Sequence, residues 1–212
     1  MITTIIIDRG HGLLDKQGNY VTPGKRATLP DGRVVFEGLE NNKYAKAIAK
    51  AAKEAGFNVI FTVLTTDFKD VSLVERVNKA NKHPNKNSAI FLSLHNNAAN
   101  GKAFGTELFT SKGQTLSDIY AQHIIDRYRI SFPNRRMRTD KTDKDCDKES
   151  NFYVLARTIM PSILFEFGFF DNPTDYDWLS NEKNIDLLAK CTIDGIVSAN
   201  IDLYGEHIYP LK

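Results

Sequence analysis

Cysteine is scarce. The 212 residues hold two, Cys146 and Cys191. They are too few and too far apart for a zinc ribbon or a CxxC redox pair, and each reads as a buried or half-buried thiol whose pairing needs a distance the sequence lacks. A chain this long buries roughly 70% of its unfolded surface, so it needs no disulfide staples. Excess charge is also missing: Lys+Arg number 28 and Asp+Glu 26, a net of +2. That balance excludes a polybasic nucleic-acid binder as the default reading. It leaves an anionic polymer open as substrate, because local patches escape a global sum. The opening residues 2–7 are apolar but too short for a signal h-region or a membrane span, with no basic n-region and no small-residue cleavage site. The sequence therefore predicts no secretory signal, no membrane insertion and synthesis in the cytoplasm. Internal repeats, low-complexity tracts and long Ser/Pro/Gly linkers are absent as well, so residues 1–212 read as a single domain.

What is present alternates between strand and helix signals. Residues 2–8 read as a buried central strand ended by Gly10 and Gly12. Residues 13–36 form a long polar loop, with a hairpin turn predicted at Pro30, Asp31 and Gly32. The spacing of Leu39, Tyr44, Ala45, Ile48, Ala51, Ala52 and Ala55 predicts a helix over 37–55, stopped by Gly56. Strands are predicted over 57–63, 88–94, 104–110 and 160–167. Helices are predicted over 72–83, 114–128 and 175–203, the last broken near Asn181. Residues 132–150 read as a solvated polar loop carrying Arg135, Arg136 and Arg138. This order predicts an α/β fold: a three-layer sandwich with a mostly parallel or mixed twisted sheet and helices on both faces.

The informative polar residues sit where strands end. IIIDRGHG leads to His11, FLSLHNNA to His95, and ILFEFGF holds Glu166 inside an apolar run. In open α/β sheets, sites form at the carboxyl ends of strands, and parallel neighbours would bring these three residues to one edge. A carboxylate between Phe165 and Phe167 is costly to bury unless it meets a cation or keeps its proton. Two histidines supply two ligands of a catalytic zinc, which typically takes three. Glu37 and Glu40, both in the first turn of the predicted helix, qualify as the third. Asp8 and Asn96 are candidates to support the ligands by hydrogen bonds.

The ordered motifs IIIDRGHG, EGLEN, SLHNNA and ILFEFGFFDN resemble those of the zinc-dependent N-acetylmuramoyl-L-alanine amidases of the amidase 3 family. Arg76 with Ala80 and Asn81, Gly105 with Glu107, and Arg157 with Pro161 add smaller agreements. The resemblance implies a metal set of His11, Glu37 and His95 for one Zn2+. It favours Glu37 over Glu40, because Asn41 follows four residues later. It also implies Glu166 as general base and then acid, with peptidoglycan as substrate and the cell wall as the place of action. Arg9 departs from the family's usual proline, and the insert before Glu37 is long. The expected role is a phage or prophage endolysin, with a bacterial remodelling enzyme beside it. Two alternatives are a non-catalytic amidase-like wall-binding module and a zinc amidase or peptidase with another substrate. Arg135, Arg136 and Arg138 are a further candidate contact for acidic groups of a stem peptide.

Overall fold

The computed structural model describes residues 1–140 and 145–205. TIIIDR forms β1 (Thr4–Arg9), buried along its whole length. Successive side chains of a strand face opposite ways. Accordingly Ile5 and Ile7 enter one apolar cluster and Ile6 the other. A strand covered on both faces belongs in the middle of a parallel sheet. The neighbours of β1 are β4 (Asn58–Phe61) and β5 (Ala89–Asn97), both parallel to it. On the far side of β5 lies β8 (Ser162–Phe169), also parallel. Next comes β6 (Glu107–Thr110), antiparallel to β8, and then the short edge strand β7 (Lys148–Glu149). The order is β4-β1-β5-β8-β6-β7. A separate antiparallel hairpin pairs β2 (Arg26–Thr28) with β3 (Val34–Phe36), and its turn holds Pro30, Asp31 and Gly32 as the sequence predicts.

Helices α1 (Glu37–Glu54), α3 (Leu116–Ser131) and α6 (Glu182–Tyr204) share one apolar cluster on one face of the sheet. There Tyr44 stacks on Phe167 with centroids 4.0 Å apart, and Phe167 on Phe165 at 5.3 Å. Helices α2 (Leu73–Lys82) and α4 (Tyr153–Arg157) cover the other face, setting Val77, Ala80, Val154 and Leu155 against Ile6, Phe91 and Leu164. This is the three-layer α/β sandwich expected. Helix starts follow local chemistry. Ser72 with Glu75 and Thr115 with Asp118 form capping boxes for α2 and α3. Asn172 followed by Pro173 opens α5 (Pro173–Leu179), and Asn181 caps α6 at the predicted break. Asn200 of α6 reaches back to the chain start. It accepts the Ile2 N–H at 3.1 Å and donates to the Ile2 carbonyl at 2.9 Å.

Some expectations shift. Strand β5 runs on to Asn97, so His95 lies inside a strand rather than after it. Helix α4 was not predicted, because five residues are too few to display a helical period. In the 132–150 segment, of which 141–144 lie outside the described residues, the described part is not simply a solvated loop. It contributes β7, buries Asp147 and turns Arg135 inward, because both side chains find polar partners inside the fold. Cys146 is half-buried, Cys191 is buried, and both are free thiols. Among the described residues, no helix is long and apolar enough to cross a membrane.

Candidate active site

Parallel pairing of β1, β5 and β8 lines up their carboxyl ends. His11 follows β1 by two residues, and His95 of β5 stands in register with Glu166 of β8. Strand β3 runs directly into α1, which delivers Glu37 to the same edge. Glu37 is the hub of the group. Its Oε1 lies 3.0 Å from His95 Nδ1 and its Oε2 lies 3.2 Å from His11 Nε2. The two imidazoles are nearly perpendicular, with centroids 5.0 Å apart. One donor atom from each of the three residues lies within 4.8 Å of the others, a spacing that could hold a metal ion.

Hydrogen bonds fix the carboxylate. Asn41, one turn along α1, donates to Glu37 Oε1 at 3.4 Å and to the Gly10 carbonyl at 3.1 Å. The Asn96 side chain donates to Asn41 Oδ1 at 2.9 Å, and its backbone N–H to Glu37 Oε1 at 3.4 Å. Lys25 Nζ stands 3.6 Å from Glu37 Oε2. One buried atom at this edge, Glu166 Oε2, has no hydrogen-bond partner among the described residues.

Electrostatics follow from burial and neighbours. Burial pushes the Glu37 carboxyl up, but hydrogen bonds and charge from His11 and His95 outweigh it and hold it well below the usual carboxylate range. Burial lowers His95, yet Glu37 more than reverses this and the imidazole is raised. For His11 burial wins and the imidazole is lowered. Burial raises Glu166 to about 8, with Glu37 and Glu107 adding to the rise and His95 and Lys25 opposing it. Phe165 and Phe167 face the α1 side in the same cluster as Tyr44, and alternation turns Glu166 to the opposite face.

The motif glycines are explained by close approach. A Cβ on Gly10 would lie 2.3 Å from His95 Cε1, and one on Gly38 would lie 1.9 Å from the Gly12 carbonyl oxygen. Between Gly10 and Gly12, His11 takes a left-handed backbone with φ 63°, a conformation that costs a non-glycine residue about 1–2 kcal/mol. Arg9 secures this turn. Its buried guanidinium donates to the carbonyls of His11 at 2.6 Å and Asp67 at 2.7 Å, so bonds replace the rigidity of a proline.

Other expected residues lie elsewhere. Glu40 pairs with Lys43 at 2.8 Å and accepts from Tyr176 at 3.2 Å, away from the histidines. Asp8 accepts from Thr62, from Ser93 at 3.0 Å and from Arg76 at 3.1 Å, with no bond to either histidine. Arg135 pairs with Asp175, donates to the Phe167 carbonyl at 3.0 Å and lies 3.9 Å over the Trp178 ring. Arg138 stands 3.4 Å from Glu107, and Arg136 alone of the three is exposed. Lys25 was missed by sequence reasoning, since it sits in a polar stretch with no periodicity. The neighbours of Glu107 were missed too, because strand pairing with Glu166 is not a sequence signal.

The edge opens on a cleft of about 560 Å³ walled partly by Val21, Pro23 and Lys25 of the long insert. A cavity of about 650 Å³ between Phe104, Phe132 and Trp178 shares no residue with it.

A mixed sheet thus brings two histidines and two glutamates to one open edge. A family model described as N-acetylmuramoyl-L-alanine amidase matches residues 5–198. The N-acetylmuramoyl-L-alanine amidase CwlM of Bacillus licheniformis is 31% identical over 212 residues, covering 98% of this chain and 73% of that protein. The probable cell wall amidase LytH of Staphylococcus epidermidis is 27% identical over 199 residues, covering 91% of this chain but 57% of its own length. The chain thus spans little more than half of that relative. The crystal structure of N-acetylmuramoyl-L-alanine amidase from Clostridium difficile 630 matches with a TM-score of 0.75 at 28% identity, covering 96% of this chain and 99% of that one. The chain belongs to the N-acetylmuramoyl-L-alanine amidase family.

Proposed function

We propose that the chain hydrolyses the amide bond between N-acetylmuramic acid and L-alanine in peptidoglycan, using one zinc ion held by His11, Glu37 and His95, with Glu166 as general base and then acid. The observation that carries this reading is Glu37 lodged between two imidazole nitrogens at 3.0 and 3.2 Å, with Glu166 in register beside His95. Two imidazoles and one carboxylate suit zinc, and one donor atom from each lies within 4.8 Å of the others. Zinc bound there supplies a Lewis acid that lowers the pKa of water and polarises the scissile carbonyl.

The remaining work falls to the chain. His11 and His95 bind as neutral imidazoles, and Glu37 brings the negative charge that its neighbours already favour. Asn41 and Asn96 keep that carboxylate oriented. Glu166 takes the proton of the attacking water at its carboxylate and returns it to the leaving amine. Burial and the nearby glutamates raise its proton affinity, which suits the second half of that task, while a bound cation lowers it toward the first. Val21, Pro23 and Lys25 form one wall of the groove that takes the glycan or its stem peptide.

The test is Glu166→Gln. Zinc content is expected to persist while release of peptides from isolated walls falls about 10²–10⁴-fold. Turnover within about tenfold of wild type removes Glu166 from that role, and intact walls with zinc bound in the wild-type protein remove the amidase reading. The endolysin role belongs to this proposal, and lysis of intact cells from outside tests it. A wall-remodelling role is a second reading, supported by a staphylococcal relative that is named a probable cell wall amidase.

A further inference from the structure

A second group of carboxylates lies on the opposite side of β6 from the histidines. Asp118 opens α3, and Asp145 and Asp147 lead into β7. One oxygen from each lies within 4.8 Å of the other two. Asp118 and Asp147 are 4% and 1% exposed. Each has one oxygen occupied: Asp118 Oδ2 accepts the Thr115 N–H of the capping box, and Asp147 Oδ2 accepts from Thr110 Oγ1 at 2.6 Å. The other oxygen of each, Oδ1, is buried and has no hydrogen-bond partner among the described residues. Neither residue has an ion-pair partner there. Gln114 holds Asp145 Oδ2 at 3.0 Å.

This arrangement is costly without a cation. Two buried carboxylates beside a third repel each other, and each leaves a buried acceptor unsatisfied. We propose that Asp118, Asp145 and Asp147 bind a hard divalent cation of the calcium type, separate from the histidine site. All donors are oxygens, the ligand set of Ca2+ and Mg2+ rather than of zinc. Oxygens sharing one Ca2+ at about 2.3–2.6 Å stand no more than about 5.2 Å apart, and the group meets that span. Burial, with Asp145 and Asp118 beside it, raises the Asp147 carboxyl to about 7. The bound cation ties the chain around Asp147 to the start of α3. It thereby fixes β7, whose Lys148 pairs with Glu107, the register partner of Glu166.

The experiment is calcium titration of the full chain with its zinc supplied in excess, by equilibrium dialysis and thermal melting, with magnesium as the comparison. One calcium per chain is expected. The melting temperature should rise by about 6 °C at a hundredfold excess over the dissociation constant. Asp147→Asn should weaken binding at least about tenfold and remove the rise, and Glu37→Gln should leave both intact. No binding by wild type up to about 10 mM calcium overturns the proposal. So does calcium binding that survives in Asp147→Asn, or a wild-type chain indifferent to calcium whose Asp147→Asn variant melts higher, since a shared proton would then have settled the cluster.

Discussion

Arg135→Met separates two readings of the arginine-rich segment. A guanidinium that meets substrate costs affinity when removed, and one that holds the fold costs stability. The Arg135 side chain is 8% exposed and that of Asp175 1%. Truncation leaves the Asp175 carboxylate buried, with the backbone N–H groups of Phe169 at 2.7 Å and Gly105 at 3.2 Å as donors. It also strips a donor from the Phe167 carbonyl. Breaking a buried pair costs about 3–5 kcal/mol, and the two donors that stay on Asp175 favour the lower end, about 3 kcal/mol. For 212 residues the unfolding entropy is about 0.45 kcal/mol per kelvin, so the melting temperature should fall about 7 °C. Scanning calorimetry measures this. Adding Asp175→Asn to Arg135→Met should recover part of the loss, because no charge then stays buried. Below the transition, kcat/KM on solubilised peptidoglycan should stay within about threefold. A melting temperature within about 2 °C of wild type together with a tenfold or larger drop in kcat/KM would refute the structural role.

Asn41→Ala should weaken zinc binding about 10–100-fold, read by competition with a chelating dye, because Glu37 loses the amide that orients it; unchanged affinity would place that orientation elsewhere. Gly10→Ala drives a methyl into the His95 ring, so purified protein should lose zinc while its far-ultraviolet circular dichroism holds, and full zinc content would show that the ring is free to move. Dialysis against a chelator should abolish wall digestion and added zinc should restore it; digestion that survives complete metal removal would sink the metal mechanism. A thiol reagent should modify Cys146 well before Cys191, which is 3% exposed and whose thiol burial pushes up; equal rates would contradict the packing of α6.

Much of the site was legible because its chemistry sits at punctuation. His11 follows an apolar run and a glycine, His95 comes near the end of one, and Glu37 opens a periodic helix. Such residues stand out without any knowledge of pairing. What a neighbouring strand supplies was not legible. Phe165 and Phe167 adjoin Glu166 in sequence yet face the other way, so the burial that raises its pKa, with Glu37 and Glu107 adding to it, is seen only once the strands are paired. Arg135 reads as polar and exposed until Asp175, 40 residues on, is packed against it. The architecture was clear from alternating strand and helix signals, while the two-residue β7 and the five-residue α4 lie below the length at which periodicity speaks.

The Asn200 contact with Ile2 joins residues 198 positions apart. During synthesis the first strand leaves the ribosome well before α6, which carries the side chain that takes both polar groups of Ile2. Contacts of such long separation are slow to form. The strand leading to His11 is therefore secured late, and a nascent chain shortened before α6 lacks the clasp. The strand that leads to His11 and the α6 layer are thereby joined into one cooperative unit.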